Sequence, residues 1–385
     1  MMREIWNTTN ELLRCRDGKL QQKASSMLTV KQKISRNKSL FFAGLFLGIL
    51  VCIGSFGTAF WAIQPSPAIA RSPTVSANNP LGIALEGLPY PHPVQFLNLT
   101  IEGQPVRMGY MDIQPNNRAN GRTVLLLHGR NFSGNYWQPT IQALTTAGYR
   151  AIVPDQVGFG KSSKPDVDYS FDMLAMNTVQ LLDALNIQTV DVLGHSMGGM
   201  LAVRLARLYP NRIQRVVLET PVGLEDYRLK VPPQTIEQLQ QDESLSDPGA
   251  IERFLRNFVK TWVPERDLPF VETRIRLSQS AEYSRWTRVM ARTWQMIYRE
   301  PIRYELSALT QPTLLIIGLE DRIALGRAYV SPDVAATMGN FSELGRFAAK
   351  AISRSTLVEL SGIGHMPHHE APDQFNQELL RFLSK

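Results

Sequence analysis

Residues 190–199 read VDVLGHSMGG, an apolar run that ends in glycines on both sides of a single serine. Glycine and serine are common turn formers, so an ordinary tight turn is one interpretation of this end. The apolar run is typical of a buried strand, and the residues MLAVRLARLYP that follow have helical spacing. A G-x-S-x-G between a strand and a helix is the setting in which a serine is presented as a nucleophile. The stretch therefore predicts a sharp strand–turn–helix with Ser196 at its apex.

The residues beside Ser196 suit such a turn for steric reasons. A nucleophilic serine there is held in a strained conformation, and the positions around it have room only for small residues. Gly194 and Gly198 meet this requirement, and Gly199 lets the following helix approach the sheet. The N-terminus of that helix then offers free backbone N–H groups and a positive dipole end to an oxyanion.

Apolar runs and helical patterns alternate along most of the chain beyond residue 90. The runs VQFLNLTI and PVRMGYMDI, separated by three residues that include Gly103, predict a hairpin. Further buried strands are predicted from TVLLLHG, YRAIVPD, TVDVLGHS, IQRVVLET, PTLLIIG and STLVELS. Strands that alternate with helices are typical of βαβ units. We therefore expect an α/β fold with a mostly parallel, eight-stranded sheet flanked by helices.

The alternation is interrupted once, after Pro221. Residues 222–308 contain helical patterns such as AIERFLRNFVKTW and no convincing buried strand. Such an insertion predicts a helical cap over the carboxyl edge of the sheet, where folds of this class place their sites. The predicted organisation is a basic tail at 1–38, an apolar segment at 39–63, a linker at 64–90, an α/β core at 91–221 and 309–385, and the cap at 222–308.

The net charge of +7 belongs almost entirely to the N-terminal tail. Residues 1–38 carry nine Lys and Arg against three acidic residues, which leaves 32 basic and 31 acidic residues in the rest of the chain. The domain beyond the tail is therefore nearly neutral. Its charge does not predict a nucleic-acid partner.

Ser39 to Ile63 is an uncharged stretch of 25 residues, long enough to cross a bilayer as a helix. The basic residues in front of it predict an N-terminus that stays in the cytoplasm. Ala68, Ile69 and Ala70 also fit the small-x-small pattern of a signal-peptidase site, so a cleaved signal is the alternative to a membrane anchor. Both interpretations place the following domain on the non-cytoplasmic side, either exported or attached to the membrane through this segment.

The two cysteines, Cys15 and Cys52, both precede residue 70. The domain that follows therefore has neither an internal disulfide nor a Cys nucleophile or ligand. The sequence also lacks an HExxH metal motif and a G-x-G-x-x-G, and GFGKSS fails the P-loop pattern because one residue separates its glycines. We expect neither a metal nor a cofactor.

A serine nucleophile requires a base, and six histidines are available. His195 lies inside the turn and is expected to point away from the hydroxyl of Ser196. The segment GIGHMPHHEAP follows the last predicted strand and contains His365, His368 and His369, in a loop that is able to reach back over the sheet edge. His365 is nearest to the strand and is the preferred base, with His368 and His369 as alternatives.

The base in turn requires an acid that fixes its tautomer. The segment IIGLEDRIALG places Asp321 just after the penultimate predicted strand, whereas its neighbour Glu320 is expected at the surface. Asp226, after the preceding strand, is the alternative acid. The order Ser196, Asp321, His365 is nucleophile, acid and base along the chain.

Five stretches in this order resemble the α/β-hydrolase fold superfamily, in its serine-nucleophile branch with a helical cap: LLLHGRN, VPDQVGFGKSSKP, LGHSMGGMLAVRLA, PTLLIIGLEDR and GHMPHHEAP. The resemblance runs from about residue 94 to 383. It implies that the backbone N–H groups of Arg130 and Met197 form an oxyanion hole and that Asp155 shapes the rim of the site. Arg130 departs from the small or apolar residue common at its position, so its side chain either points to solvent or brings a cation to the pocket mouth.

Some members of this superfamily open epoxides or displace halide with an aspartate at the turn, whereas Ser196 predicts acyl chemistry. We expect a serine hydrolase that cleaves a carboxylic ester or related acyl bond of a small, apolar substrate through an acyl-enzyme. A C–C bond hydrolase, an aminopeptidase or a cofactor-free perhydrolase on the same triad is the alternative. A non-catalytic ligand-binding protein and a structural membrane protein are further alternatives, and the last leaves the serine, acid and histidine unexplained.

Overall fold

A computed structural model describes residues 79–385, and one eight-stranded sheet forms the centre of this part of the chain. The predicted apolar segment at 39–63 lies outside the described residues. The strands are β1 Val94–Ile101, β2 Gln104–Ile113, β3 Thr123–Leu127, β4 Arg150–Pro154, β5 Val190–His195, β6 Ile213–Glu219, β7 Thr313–Gly318 and β8 Ser355–Leu360. The predicted hairpin is present as β1 and β2.

The sheet has the strand order β1-β2-β4-β3-β5-β6-β7-β8. β2 pairs antiparallel with both β1 and β4, and every pairing from β4 to β8 is parallel. The expected α/β fold with a mostly parallel, eight-stranded sheet is therefore confirmed. β5 and β7 are buried along their whole length, as expected for strands covered on both faces.

Helices flank the sheet on both faces, and further helices lie in the insertion. They are α1 Gln138–Thr146, α2 Phe171–Ala184, α3 Met197–Leu208, α4 Ile236–Glu243, α5 Pro248–Arg256, α6 Pro264–Ser278, α7 Tyr283–Arg299, α8 Pro332–Ala336, α9 Phe341–Ala351, α10 Pro367–Glu370 and α11 Pro372–Leu383. α2, α3 and α9 pack in one core with Leu125, whereas α1 and α11 pack in the other with Leu126. Neighbouring strand residues thus face opposite cores, in keeping with the period of two along a strand.

The helical insertion consists of α4 to α7, between the end of β6 at Glu219 and the start of β7 at Thr313. The side chains of Thr235 and Asp247 cap α4 and α5 by accepting hydrogen bonds from the backbone N–H groups of Gln238 and Ala250. The insertion at 222–308 thus contains four α-helices, in keeping with the helical patterns of its sequence.

The end of the predicted linker differs from the expectation. Leu81, Ile83 and Leu85 are 1%, 6% and 7% exposed and belong to the core that contains α2 and α3. Their apolar side chains provide the reason, since burial removes them from water. The folded part therefore includes residues that were assigned to the linker at 64–90. Within 79–385, no helix is long and apolar enough to cross a membrane.

Candidate active site

Ser196 lies between β5 and α3, at the turn that the sequence predicted. Its backbone has φ of 55° and ψ of −117°, in a region that residues with a side chain rarely adopt. The surrounding structure holds it there, since the N–H of Ser196 donates to the carbonyl of Glu219 and its own carbonyl accepts from Gly199. Strain of this kind is typical of functional sites.

The glycines around the turn make backbone approaches that no larger residue allows. A Cβ on Gly194 would lie 2.1 Å from the carbonyl oxygen of Gly198, and one on Gly198 would lie 2.2 Å from that of Leu127. A Cβ on Gly199 would lie 2.7 Å from the side chain of Pro221. The steric argument made from the sequence therefore applies at all three positions.

His365 and Asp321 meet at the carboxyl edge of the sheet. Nδ1 of His365 lies 2.5 Å from Oδ2 of Asp321, and both side chains are fully buried. The other carboxylate oxygen of Asp321 accepts a hydrogen bond of 2.8 Å from the N–H of Ile323. Nε2 of His365 has no hydrogen-bond partner among the described residues. This arrangement fixes the proton on Nδ1 and leaves Nε2 available as a base.

The backbone of His365 is held from three directions. Its N–H donates to the carbonyl of Phe258 in the insertion at 3.0 Å. Its carbonyl accepts from Nε2 of His195 and from the hydroxyl of Thr220, both at 2.8 Å. The histidine ring is therefore positioned by its own loop, by the end of the sheet and by the insertion together.

His195 does not approach Ser196 as a base would. Because a carbonyl only accepts, Nε2 of His195 carries the proton, and Nδ1 accepts from the hydroxyl of Tyr136 at 3.0 Å. The same hydroxyl accepts from the N–H of Gly129 at 2.9 Å. Burial and the neighbouring His365 lower the pKa of His195 well below its usual value. A neutral His195 therefore connects the turn after β3 to the backbone of His365.

The two alternative histidines have other partners. Nδ1 and the backbone N–H of His368 donate to Oε1 of Glu219, at 2.8 and 2.7 Å, and both side chains are fully buried. His369 contacts Asp267 of α6 at 2.7 Å. Burial lowers the pKa of His368 and raises that of Glu219, so both groups favour their neutral forms.

Glu219 was missed by the sequence interpretation. Its one available signal is its place as the last residue of a buried strand, at the edge where the site lies. Asp226, the alternative acid, lies apart from the histidines and binds Arg228 and the hydroxyl of Tyr304. Glu320 is exposed, as expected.

The side chain of Arg130 is only 10% exposed, so the first of the two expected courses, into solvent, is wrong. Its guanidinium extends into the insertion, where Nη2 donates to Glu243 at 2.5 Å and to the carbonyl of Met290 at 2.8 Å. Its Nε donates to the hydroxyl of Thr293 at 3.4 Å. The backbone N–H groups of Arg130 and Met197 make no hydrogen bond to another residue within 79–385, so they remain available to an acceptor.

Asp155 has a structural role. Its carboxylate accepts hydrogen bonds from the N–H groups of Gly134 and Lys161 and from the hydroxyl of Tyr90, each at 2.7 Å. These bonds hold the loop after β4 against the turn that precedes α1.

A cavity of about 1010 Å³ lies between Ser196 and the insertion. Its apolar wall includes Leu239, Leu245, Phe254, Phe258, Trp294 and Ile297. Charged residues also line it, namely Arg130, Asp242, Glu243, Arg322 and Arg327.

Within 79–385, no group of three or more His, Cys, Asp or Glu side chains is arranged to hold a metal ion.

Residues 122–372 match the family described as the alpha/beta hydrolase fold. The match covers more than half of the chain, and the sheet order described above agrees with it. The chain therefore belongs to the α/β-hydrolase fold family, and a hydrolase activity is supported.

Three known proteins illustrate what the chain is similar to. It is 41% identical to a probable hydrolytic enzyme from Pseudomonas aeruginosa PAO1, with a TM-score of 0.78 over 80% of this chain and 99% of that one. It is 27% identical over 286 residues to a non-heme chloroperoxidase of Kitasatospora aureofaciens, which covers 69% of this chain and 94% of that protein. An enol-lactonase from Burkholderia xenovorans LB400 is 21% identical, with a TM-score of 0.58 over 75% of this chain and 100% of that one, which shows a likeness of fold alone.

Proposed function

We propose that this hydrolase uses Ser196 as its nucleophile and cleaves a carboxylic ester or related acyl bond through an acyl-enzyme. The observation that carries the proposal is the buried bond of 2.5 Å between Asp321 and His365, which leaves Nε2 of His365 without a partner, while Ser196 lines the large cavity. A small-molecule acyl substrate with a largely apolar body suits the apolar wall of that cavity.

In the first half of the proposed reaction, Oγ of Ser196 forms a bond to the acyl carbon while Nε2 of His365 takes its proton. Asp321 stabilises the imidazolium, and the N–H groups of Arg130 and Met197 donate to the oxyanion. The bond between the acyl carbon and the leaving oxygen then breaks, and His365 gives its proton to the leaving alcohol. Water, deprotonated by His365, attacks the acyl-enzyme and releases the acid, and Ser196 regains its proton.

No hydrogen bond joins Oγ of Ser196 to Nε2 of His365 in the described residues. Such bonds are often long in the absence of substrate and tighten in the reacting complex. The fixed tautomer of His365 and the two unengaged N–H groups support the same assignment independently of that distance.

The test is the substitution Ser196→Ala, with Ser384→Ala at an exposed position as the matched control. We expect hydrolysis of ester substrates to fall by about a millionfold in the first variant, because the triad acts as a unit, and to remain in the second. A fluorophosphonate probe should label the wild type and the control at Ser196. Ester hydrolysis or labelling that survives Ser196→Ala would show that the nucleophile is wrong.

The likeness to a non-heme chloroperoxidase favours a second candidate, the cofactor-free perhydrolase. In that reaction hydrogen peroxide replaces water in the attack on the acyl-enzyme, and a peracid leaves instead of an acid. Peroxide-dependent bromination in acetate buffer that requires Ser196 would support this candidate, and bromination equal in Ser196→Ala would exclude it.

The predicted location also remains a proposal. It rests on the basic tail and the uncharged stretch from Ser39 to Ile63. We expect the full chain, expressed in bacteria, to be degraded by protease added to intact spheroplasts or to appear in the periplasm. A domain that stays protected until the cells are lysed would contradict export.

A further inference from the structure

Arg130 is held rigidly beside the proposed oxyanion site. Its guanidinium, only 10% exposed, uses Nε and Nη2 for bonds to Thr293, Met290 and Glu243. Nη1 makes no hydrogen bond to another described residue, and the residue lines the cavity that contains Ser196. One edge of a fixed guanidinium is therefore open to a ligand there.

Glu243 is shared between two arginines. Besides its bond to Arg130, its carboxylate lies 3.7 Å from Nη2 of Arg274, which also donates to the Glu243 carbonyl at 2.9 Å. Arg274 is 8% exposed, and its Nε has no hydrogen-bond partner among the described residues. Burial lowers its pKa, and its guanidinium stacks 3.8 Å from the ring centre of Trp286. Two cations thus face one carboxylate in a largely water-free place, which is costly without a further anion.

The cluster of Arg130, Glu243 and Arg274 lies where two cavities meet. Arg274 lines a smaller cavity of about 70 Å³, which shares Asn131 and Phe254 with the large one. Asn131 follows Arg130 directly, in a left-handed conformation with φ of 74°. A substrate whose acyl bond lies at Ser196 is therefore able to place a second polar group near both arginines.

The remaining charges of the large cavity favour an anion as well. Arg322 and Arg327 line it, and neither lies within 4.0 Å of a carboxylate oxygen in the described residues. Asp242 is engaged by the hydroxyl of Tyr329. The arginines around the two cavities therefore outnumber the carboxylates.

We propose that the substrate carries a carboxylate in addition to its acyl bond, and that Arg130 and Arg274 bind this carboxylate. This inference rests on the proposed function. The charge-assisted hydrogen bonds of a fixed guanidinium suit a planar carboxylate. The apolar wall then receives the rest of the substrate.

The experiment compares esters that differ only in charge. Mono-4-nitrophenyl glutarate and its methyl ester test a carboxylate on the acyl side, and 4-butyryloxybenzoate and its methyl ester test one on the leaving side. We expect kcat/KM of the wild type to favour the carboxylate by about tenfold or more on one of the two sides, as one charge-assisted hydrogen bond provides. This preference should fall by about tenfold in both Arg130→Met and Arg274→Met.

Arg253→Met, at a position 74% exposed on α5, is the matched control and should keep the wild-type preference. Equal rates for charged and neutral esters in the wild type would overturn the proposal. So would an equal loss for both esters in the two variants, which would show that the cluster only holds the insertion in place. Fluorophosphonate labelling of Ser196 distinguishes these outcomes from failure of the proposed function, because labelling does not depend on a carboxylate.

Discussion

The substitution Gly198→Ala tests the geometry of the turn with a single methyl group. The added Cβ would lie 2.2 Å from the carbonyl oxygen of Leu127 and 2.8 Å from that of His128. Ordinary contacts between such atoms are about 3.5 Å, so the two backbones must separate by roughly 1 Å.

The reacting groups are displaced because the backbone of Leu127, on the other side of the contact, is held in place. Leu127 is fully buried at the end of β3, which pairs with β4 and β5. The N-terminus of α3 therefore moves instead, and Ser196 and the N–H of Met197 move with it. A displacement of about 1 Å at a reacting centre costs on the order of 100-fold in rate. The overpacking itself costs roughly 1–3 kcal/mol of stability.

The assay is kcat/KM for a 4-nitrophenyl ester, together with urea denaturation to measure the folded fraction. Gly249→Ala in α5 is the control, since a Cβ there meets only the ends of the Arg253 and Asp247 side chains, at 3.1 and 3.3 Å. We expect the control to keep its activity, because alanine is also the better helix former. A folded Gly198→Ala variant with more than half of the wild-type kcat/KM would refute the argument.

Two further predictions concern buried polar groups near the site. Tyr136→Phe leaves the N–H of Gly129 and Nδ1 of His195 without a partner, so we expect the free energy of unfolding to fall by roughly 2–4 kcal/mol in urea denaturation. Tyr209→Phe, at a half-buried position, is the control. An equal loss in both variants would contradict the reasoning. Burial raises the pKa of Glu219 in the folded protein. The contribution of protonated Glu219 to the free energy of unfolding is therefore present at low pH and is lost as the pH rises through the raised pKa. Glu219→Gln does not ionise, and its free energy of unfolding relative to the wild type should rise with pH; a difference constant from pH 5 to 9 would argue against a raised pKa.

The fold was predictable because its signals are local. A strand shows its period within six residues, and the glycines at 194 and 198 are required by atoms a few residues away or on the adjacent strand. The contact between Asp321 and His365 was predictable for a related reason. Parallel strands bring their carboxyl ends to one edge, so side chains that follow two neighbouring strands meet there.

The partners of the side chains were not predictable in this way. Glu219 and His368 are 149 residues apart, and Arg130 and Glu243 are 113 residues apart. No local pattern links such positions, since their contact depends on how the insertion and the last loop pack on the sheet. From the sequence His368 was accordingly only an alternative base, whereas the structure buries it against Glu219 and the ring of Trp137.

The insertion makes hydrogen bonds to two residues of the proposed catalytic site, His365 and Arg130. The carbonyl of Phe258 accepts from the N–H of His365, and Glu243 and Met290 hold the side chain of Arg130, whose backbone N–H is a proposed oxyanion donor. Ser196, in contrast, is fixed by the backbone of the sheet and α3. Substitutions in the insertion that disturb these hydrogen bonds should therefore alter kcat as well as KM, because they displace the base or the oxyanion donor. An insertion exchanged from a relative would transfer its substrate preference only if it supplied both an acceptor for the His365 N–H and a carboxylate for Arg130.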